Sequence, residues 1–107
     1  MISEKKYFYA IIKPYRKDFI VNPVENENAI MERHFLYLKN LLDNNKLYLA
    51  GPTLIESDPF GLIIFETESE EEARELLLQD PSIKSGIQKL ADFRPFRLSV
   101  KKIKKSG

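Results

Sequence analysis

The 107-residue chain has no cysteine. This excludes disulfides, thiolate catalysis and any cysteine-held metal. His34 is the single histidine, so one chain cannot build a histidine-rich metal site. No metal and no cofactor are expected. An excess of charge is missing too: 17 basic and 16 acidic residues leave a formal charge of +1. There is no electrostatic footprint for nucleic acid, and no such partner is expected. Long apolar runs are absent. The first, Tyr7 to Ile12, follows acidic Glu4 and is too short for a secretory or membrane-spanning segment. The expectation is a cytoplasmic protein away from the membrane. Neither an internal repeat nor a linker interrupts the chain. What remains is ordinary globular composition, 43% hydrophobic and 31% charged. It suits one domain over residues 1–107, with a core at 7–100 and a basic tail at 101–107.

The chain is organised around residues 34–52, HFLYLKNLLDNNKLYLAGP. On a helical wheel, Ile30, Leu41, Leu38, Met31, Leu42 and Phe35 share one arc. Glu32, Lys39 and Asp43 lie opposite. His34 falls inside the apolar arc, between Leu41 and Leu38. An imidazole there needs a hydrogen-bond partner or a cavity, since an unpaired buried polar group costs roughly 1–3 kcal/mol. Two readings follow: a satisfied core histidine, or a site histidine facing a pocket between helix and sheet.

In chain order, Tyr7-Phe8-Tyr9-Ala10-Ile11-Ile12 reads as a strand, apolar on both faces and ended by Pro14. Residues 15–27 lack a period and contain Pro23 with Asn22 and Asn26. Such a length reads as a surface loop or as a cover over a site. Asn26 or Asn28 is expected to cap the next helix. That helix is expected to end near Asn44-Asn45, where asparagine tolerates the left-handed conformation. Leu47-Tyr48-Leu49-Ala50 is a short strand stopped by Gly51-Pro52, and residues 53–59 form a loop. Gly61-Leu62-Ile63-Ile64-Phe65-Glu66 is the third strand, again apolar on both faces. Ser69 and Glu72 form a capping box for a second helix carrying Ala73, Leu76 and Leu77. Asp80-Pro81 ends it and starts a further turn at 81–85. Residues 87–100 are the last extended segment, with Phe96, Leu98 and Val100 alternating against Arg97, Ser99 and Lys101.

This order, βαββαβ, predicts an α+β fold: a ferredoxin-like split βαβ with an antiparallel sheet and two helices on one face. The sheet's second face is apolar and needs a cover. A homodimer with sheets packed face to face is the simplest. The topology also brings His34, Asp80, Asp58, Lys13-Pro14 and the 51–61 loop to one end of the molecule.

His34 with Leu38 and Leu41, then Leu47, Ala50-Gly51-Pro52, Gly61, Ser69 with Glu72-Ala73, Asp80-Pro81, Gly86 and Pro95-Phe96 together resemble the YciI-like (YCII-related) family. The resemblance spans residues 7–96. It departs from the family at Ser82, where an aromatic is usual, and in a longer 15–27 loop. It implies a dimeric α/β barrel and a site built on a histidine and an aspartate, here His34 and Asp80. A related dehydrochlorinase and the similarly folded muconolactone isomerases imply proton abstraction on small cyclic acids or phenols.

The functional expectations are three. In a lyase or isomerase, neutral His34 takes a proton, Asp80 orients the ring, and Asp58 is a further acid or base near the ligand. Arg16, Arg94 or Arg97 would hold a substrate carboxylate. In a non-catalytic metabolite-binding or dimerisation module, His34 only anchors the core. The third reading is haem ligation by His34, which an absorption spectrum without a Soret band would reject. If His34 is a base in a wet pocket, His34→Leu should be neutral or stabilising while ligand binding is lost.

Overall fold

Alternation places Phe8, Ala10 and Ile12 on one face of the first strand, and all three are buried. The computed structural model describes residues 5–16 and 25–102. The middle of the 15–27 connection, and the tail beyond 102, lie outside that range. The elements are β1 (Lys6–Pro14), α1 (Glu25–Asp43), β2 (Leu47–Pro52), β3 (Gly61–Thr67), α2 (Glu70–Leu78), α3 (Pro81–Lys84) and β4 (Gln88–Phe96). The antiparallel pairings give the order β2-β3-β1-β4. This is the split βαβ arrangement: each of the two crossovers joins parallel strands with a third strand between them. One core lies between the sheet and the helices. Phe8, Ile12, Ile63 and Phe65 meet Leu41 of α1 and Leu77 of α2 there.

Local signals explain most boundaries. Asn45 takes φ 60°, and Lys46 N–H reaches Leu41 O (2.9 Å) while Asn45 N–H reaches Leu42 O (3.1 Å). Those two bonds close α1 in a Schellman motif. Ser69 Oγ accepts from Glu72 N–H at 3.1 Å, capping α2. Asp80 caps α3 with Pro81 at its first position. Gly86, at φ +82°, turns the chain from α3 into β4.

Four expectations are corrected. Helix α1 begins at Glu25, so Asn26 and Asn28 lie inside it and do not cap it. A tertiary contact fixes this first turn: Arg16 and Tyr15 hold the buried Glu27 carboxylate. Strand β2 continues through Gly51-Pro52, because an edge strand tolerates a residue without N–H. Strand β4 stops at Phe96, where its partner β1 runs out (Tyr7 opposite Phe96). The chain then crosses the sheet's helix-free face, and Lys101 Nζ comes 5.9 Å from the Tyr48 ring on the far edge strand. Phe35 and Leu42 share the apolar arc of α1 yet are exposed; periodicity defines the arc, not how much of it finds a partner.

Lys46, just beyond α1, pairs with Glu72 of α2 at 2.5 Å. Lys46 and the Glu68 N–H hold the Glu72 carboxyl below its ordinary value, and Glu72 holds Lys46 above its own. Stability from Glu72 is therefore present above the ordinary carboxylate pKa and lost as pH falls through the depressed one. Stability from Lys46 is present below the ordinary lysine pKa and lost as pH rises through the raised one. Both groups are partly solvated, so Glu72→Gln should cost less than about 1 kcal/mol at neutral pH. It should also flatten the acid limb of a plot of melting temperature against pH. An unchanged acid limb would show the pair contributes nothing.

Candidate functional site

Periodicity carries His34 to the sheet side of α1, one and two turns before Leu38 and Leu41. The His34 side chain is 11% exposed. Its Nδ1 lies 2.7 Å from Asp80 Oδ2 and 2.9 Å from Oδ1. Asp80 arrives there because it caps α3, a helix only four residues long. Its Oδ1 also accepts from Ser82 N–H (2.8 Å) and Ser82 Oγ–H (2.9 Å). Asp80 is 1% exposed and Ser82 0%, so this carboxylate is buried and held from several sides. A carboxylate only accepts, so Nδ1 is assigned as the protonated nitrogen and donates to it. That leaves Nε2 as the basic atom, and Nε2 engages no described residue.

The same ring lines a cavity of about 730 Å³ between α1 and the β2–β3 side of the sheet, within the usual range for small-molecule sites. Its inner wall is apolar: Ile12, Leu38, Leu47 and Ile63. Phe35 and Leu42 overhang it, and Leu54 and Ile55 of the 53–59 loop form an exposed apolar rim. The cavity accounts for Phe35 and Leu42, the two arc residues that line it and stay exposed. Asp80 does not line the cavity; it sits behind His34.

One turn along α1, Tyr37 donates to Leu76 O at 2.7 Å. Burial, and secondarily the charge of Asp80, pushes its phenol up to about 12. Tyr37 therefore stays neutral near the pair at ordinary pH. Among the described residues no group of three histidines, aspartates or glutamates is placed to hold a metal. No described helix is long and apolar enough to cross a membrane.

Of the residues singled out from the sequence, the structure brings His34 and Asp80 together and leaves the others apart. Asp58 is an exposed loop carboxylate 3.7 Å from Lys13 Nζ and does not line the cavity. Arg16 is drawn to the buried Glu27, 2.6 Å away, which holds its guanidinium above the ordinary arginine value. Arg94 pairs with Asp92 at 3.1 Å. It sits opposite Tyr9, on the sheet face away from the helices. Arg97 follows β4 and is exposed. None of these arginines lines the cavity.

Three residues were given no role at the site from the sequence, Ser82 being noted there only as a departure from the family. Ser82 sits two residues past the capping aspartate, where a hydroxyl naturally meets it. Glu27 lies seven residues before His34 and so on the same helix stripe. Gln88, buried at 7% exposure, lines the cavity; a lone polar residue at a strand start carries no signal.

The model of the YCII-related domain matches residues 7–97. Among solved structures, the chain is similar to 5-chloro-2-hydroxyhydroquinone dehydrochlorinase from Burkholderia phenoliruptrix AC1100, in complex with 2,5-dihydroxybenzoquinone. Identity is 24% and the TM-score 0.61, over 87% of this chain and 93% of that one. At that identity the likeness establishes the fold. No curated protein matches the chain. The family match covers most of the sequence, and the chain belongs to the YCII-related family.

Proposed function

We propose that this YCII-related protein binds a small cyclic acid or phenol in the α1–β2 cavity, in the cytoplasm, and that His34 moves a proton on it in a lyase or isomerase reaction. One observation carries the reading: Nδ1 is tied to a buried carboxylate while the ring forms part of an apolar cavity wall. That arrangement directs Nδ1–H at Asp80, and in the neutral tautomer of such a ring Nε2 is the acceptor. Asp80 holds the tautomer and ring plane and stabilises the imidazolium once formed. Ser82 holds Asp80. The proton taken by Nε2 returns to a leaving group or to another ligand atom. The dehydrochlorinase that shares the fold supports the lyase direction by analogy.

The test is exchange. Candidate phenols and cyclic acids are incubated with the protein in D₂O and followed by NMR. Deuterium entering a ligand C–H position with wild type, and not with His34→Gln, is the expected result. Tight binding of such a ligand without exchange or conversion would instead leave a metabolite-binding module.

We propose further that the protein is a homodimer. Tyr9, Ile11 and Leu62 lie half-buried on the sheet face opposite the helices, where Lys101 also approaches Tyr48. An apolar sheet face of this kind is commonly covered by a second sheet. Light scattering should give twice the chain mass for wild type and the chain mass for the Ile11→Asp/Leu62→Asp variant. A monomeric wild type would reject the dimer.

A further inference from the structure

The cap of α3 needs only a backbone donor. Ser82 N–H reaches Asp80 Oδ1 at 2.8 Å, and any residue but proline supplies that N–H at position 82. The Ser82 hydroxyl is surplus to the cap. It is nonetheless wholly buried, where a polar group must find a partner. It donates to the same oxygen, Asp80 Oδ1, at 2.9 Å. Oδ1 thus takes two donors from Ser82, which fill its two lone pairs. His34 Nδ1 stands closer to the other oxygen, 2.7 Å from Oδ2 against 2.9 Å from Oδ1. Ser82 Oγ is itself 3.3 Å from Nδ1. It meets the ring at the nitrogen that Asp80 holds, and it does not line the cavity. That excludes a nucleophile, whose hydroxyl faces the ring nitrogen opposite the carboxylate.

Resting on the reading of His34 as a base, we propose that Ser82 is a positioning residue that fixes the plane of the imidazole. Its hydroxyl occupies Oδ1 and reserves Oδ2 for Nδ1–H. Asp80 sets which ring nitrogen carries the proton, and Ser82 sets where the ring points. Without the hydroxyl, Oδ1 regains a free lone pair and the two oxygens compete for one ring proton. The ring then rocks between them, and Nε2 loses its fixed direction. A base depends on such alignment for its rate, so the hydroxyl acts on turnover through His34 and not on the ligand.

The test reads the ring itself. His34 is the only histidine, so its Cδ2–H and Cε1–H signals report one ring, and carbon-13 relaxation gives their order parameters without any ligand. Wild type should give about 0.85, the value of a rigid group. Ser82→Ala keeps the backbone cap and should fall below about 0.6. Ser82→Thr keeps the hydroxyl and should restore the rigid value. Should its extra methyl group prevent folding, Ser82→Cys, with a weak S–H donor, takes its place and should lie between the two. A rigid ring in Ser82→Ala overturns the proposal, and a lowered melting temperature beside it makes the hydroxyl a structural bond only. A ring already mobile in wild type overturns it as well. A ring loosened in Ser82→Ala, in a protein that exchanges deuterium into no ligand, supports the positioning and rejects the base.

Discussion

His34→Gln is expected to fold nearly as stably as the wild type and to lose roughly 10²- to 10⁴-fold in turnover of any ligand the protein converts, the usual contribution of a positioned base. Glutamine offers an amide N–H to Asp80 but no atom that titrates near neutrality. The buried carboxylate keeps a donor, and the cavity loses its base. Leucine is a harsher change than the sequence suggested. With Asp80 only 1% exposed, His34→Leu takes away the donor at 2.7 Å and leaves Ser82 as the remaining support. That should cost roughly 1–3 kcal/mol, so leucine should melt below glutamine. Thermal melting beside single-turnover rates decides the matter. Full turnover in His34→Gln would show that the ring is not the base. Several kcal/mol of lost stability with unchanged ligand binding would return His34 to the core.

Asp80→Ala is expected to be among the most destabilising single changes, by roughly 3–5 kcal/mol in urea unfolding. Buried donors left without their acceptor account for this, at roughly 1–3 kcal/mol per group, the cap of α3 among them. Ser82 N–H, Ser82 Oγ–H and His34 Nδ1–H all lose their acceptor at once. Asp80→Asn separates the two roles of the carboxylate. Its oxygen can still cap α3, so stability should fall less than in alanine. It cannot stabilise an imidazolium, so turnover should still fall sharply. An Asp80→Asn protein with wild-type rates would remove Asp80 from the chemistry and leave it as a helix cap.

Much of this molecule follows from short-range rules. Alternation in β1 put Phe8, Ala10 and Ile12 in the core, and the order of elements led to the sheet β2-β3-β1-β4. Ser69 with Glu72, Asp80 with Pro81, and left-handed Asn45 are capping signals that span only a few residues, so no distant contact was needed to read them. The same order of elements placed His34 and Asp80 at one end of the molecule although 46 positions separate them.

What the chain pattern could not decide depends on how elements tilt and which partners they reach. Helical period showed that Phe35, Leu42 and His34 share an arc; tertiary packing left Phe35 and Leu42 exposed over a cavity and buried His34 against Asp80. Arg16, Asp58 and Arg94 were equal candidates by residue type. Arg16 went to Glu27 and Arg94 to Asp92, while Asp58 stayed in solvent near Lys13. Long side chains choose among charges that are adjacent only after folding. The buried Gln88 Oε1, which has no hydrogen-bond partner among the described residues, has the same origin, because satisfaction of a polar atom depends on every neighbour in three dimensions. The sequence by itself determined the elements, their order and the end of the fold where a site could form. Only the tertiary structure decided that His34 spends Nδ1 on Asp80 and keeps Nε2 unpaired at the cavity, because hydrogen bonds are settled over tenths of an ångström that no spacing rule reaches.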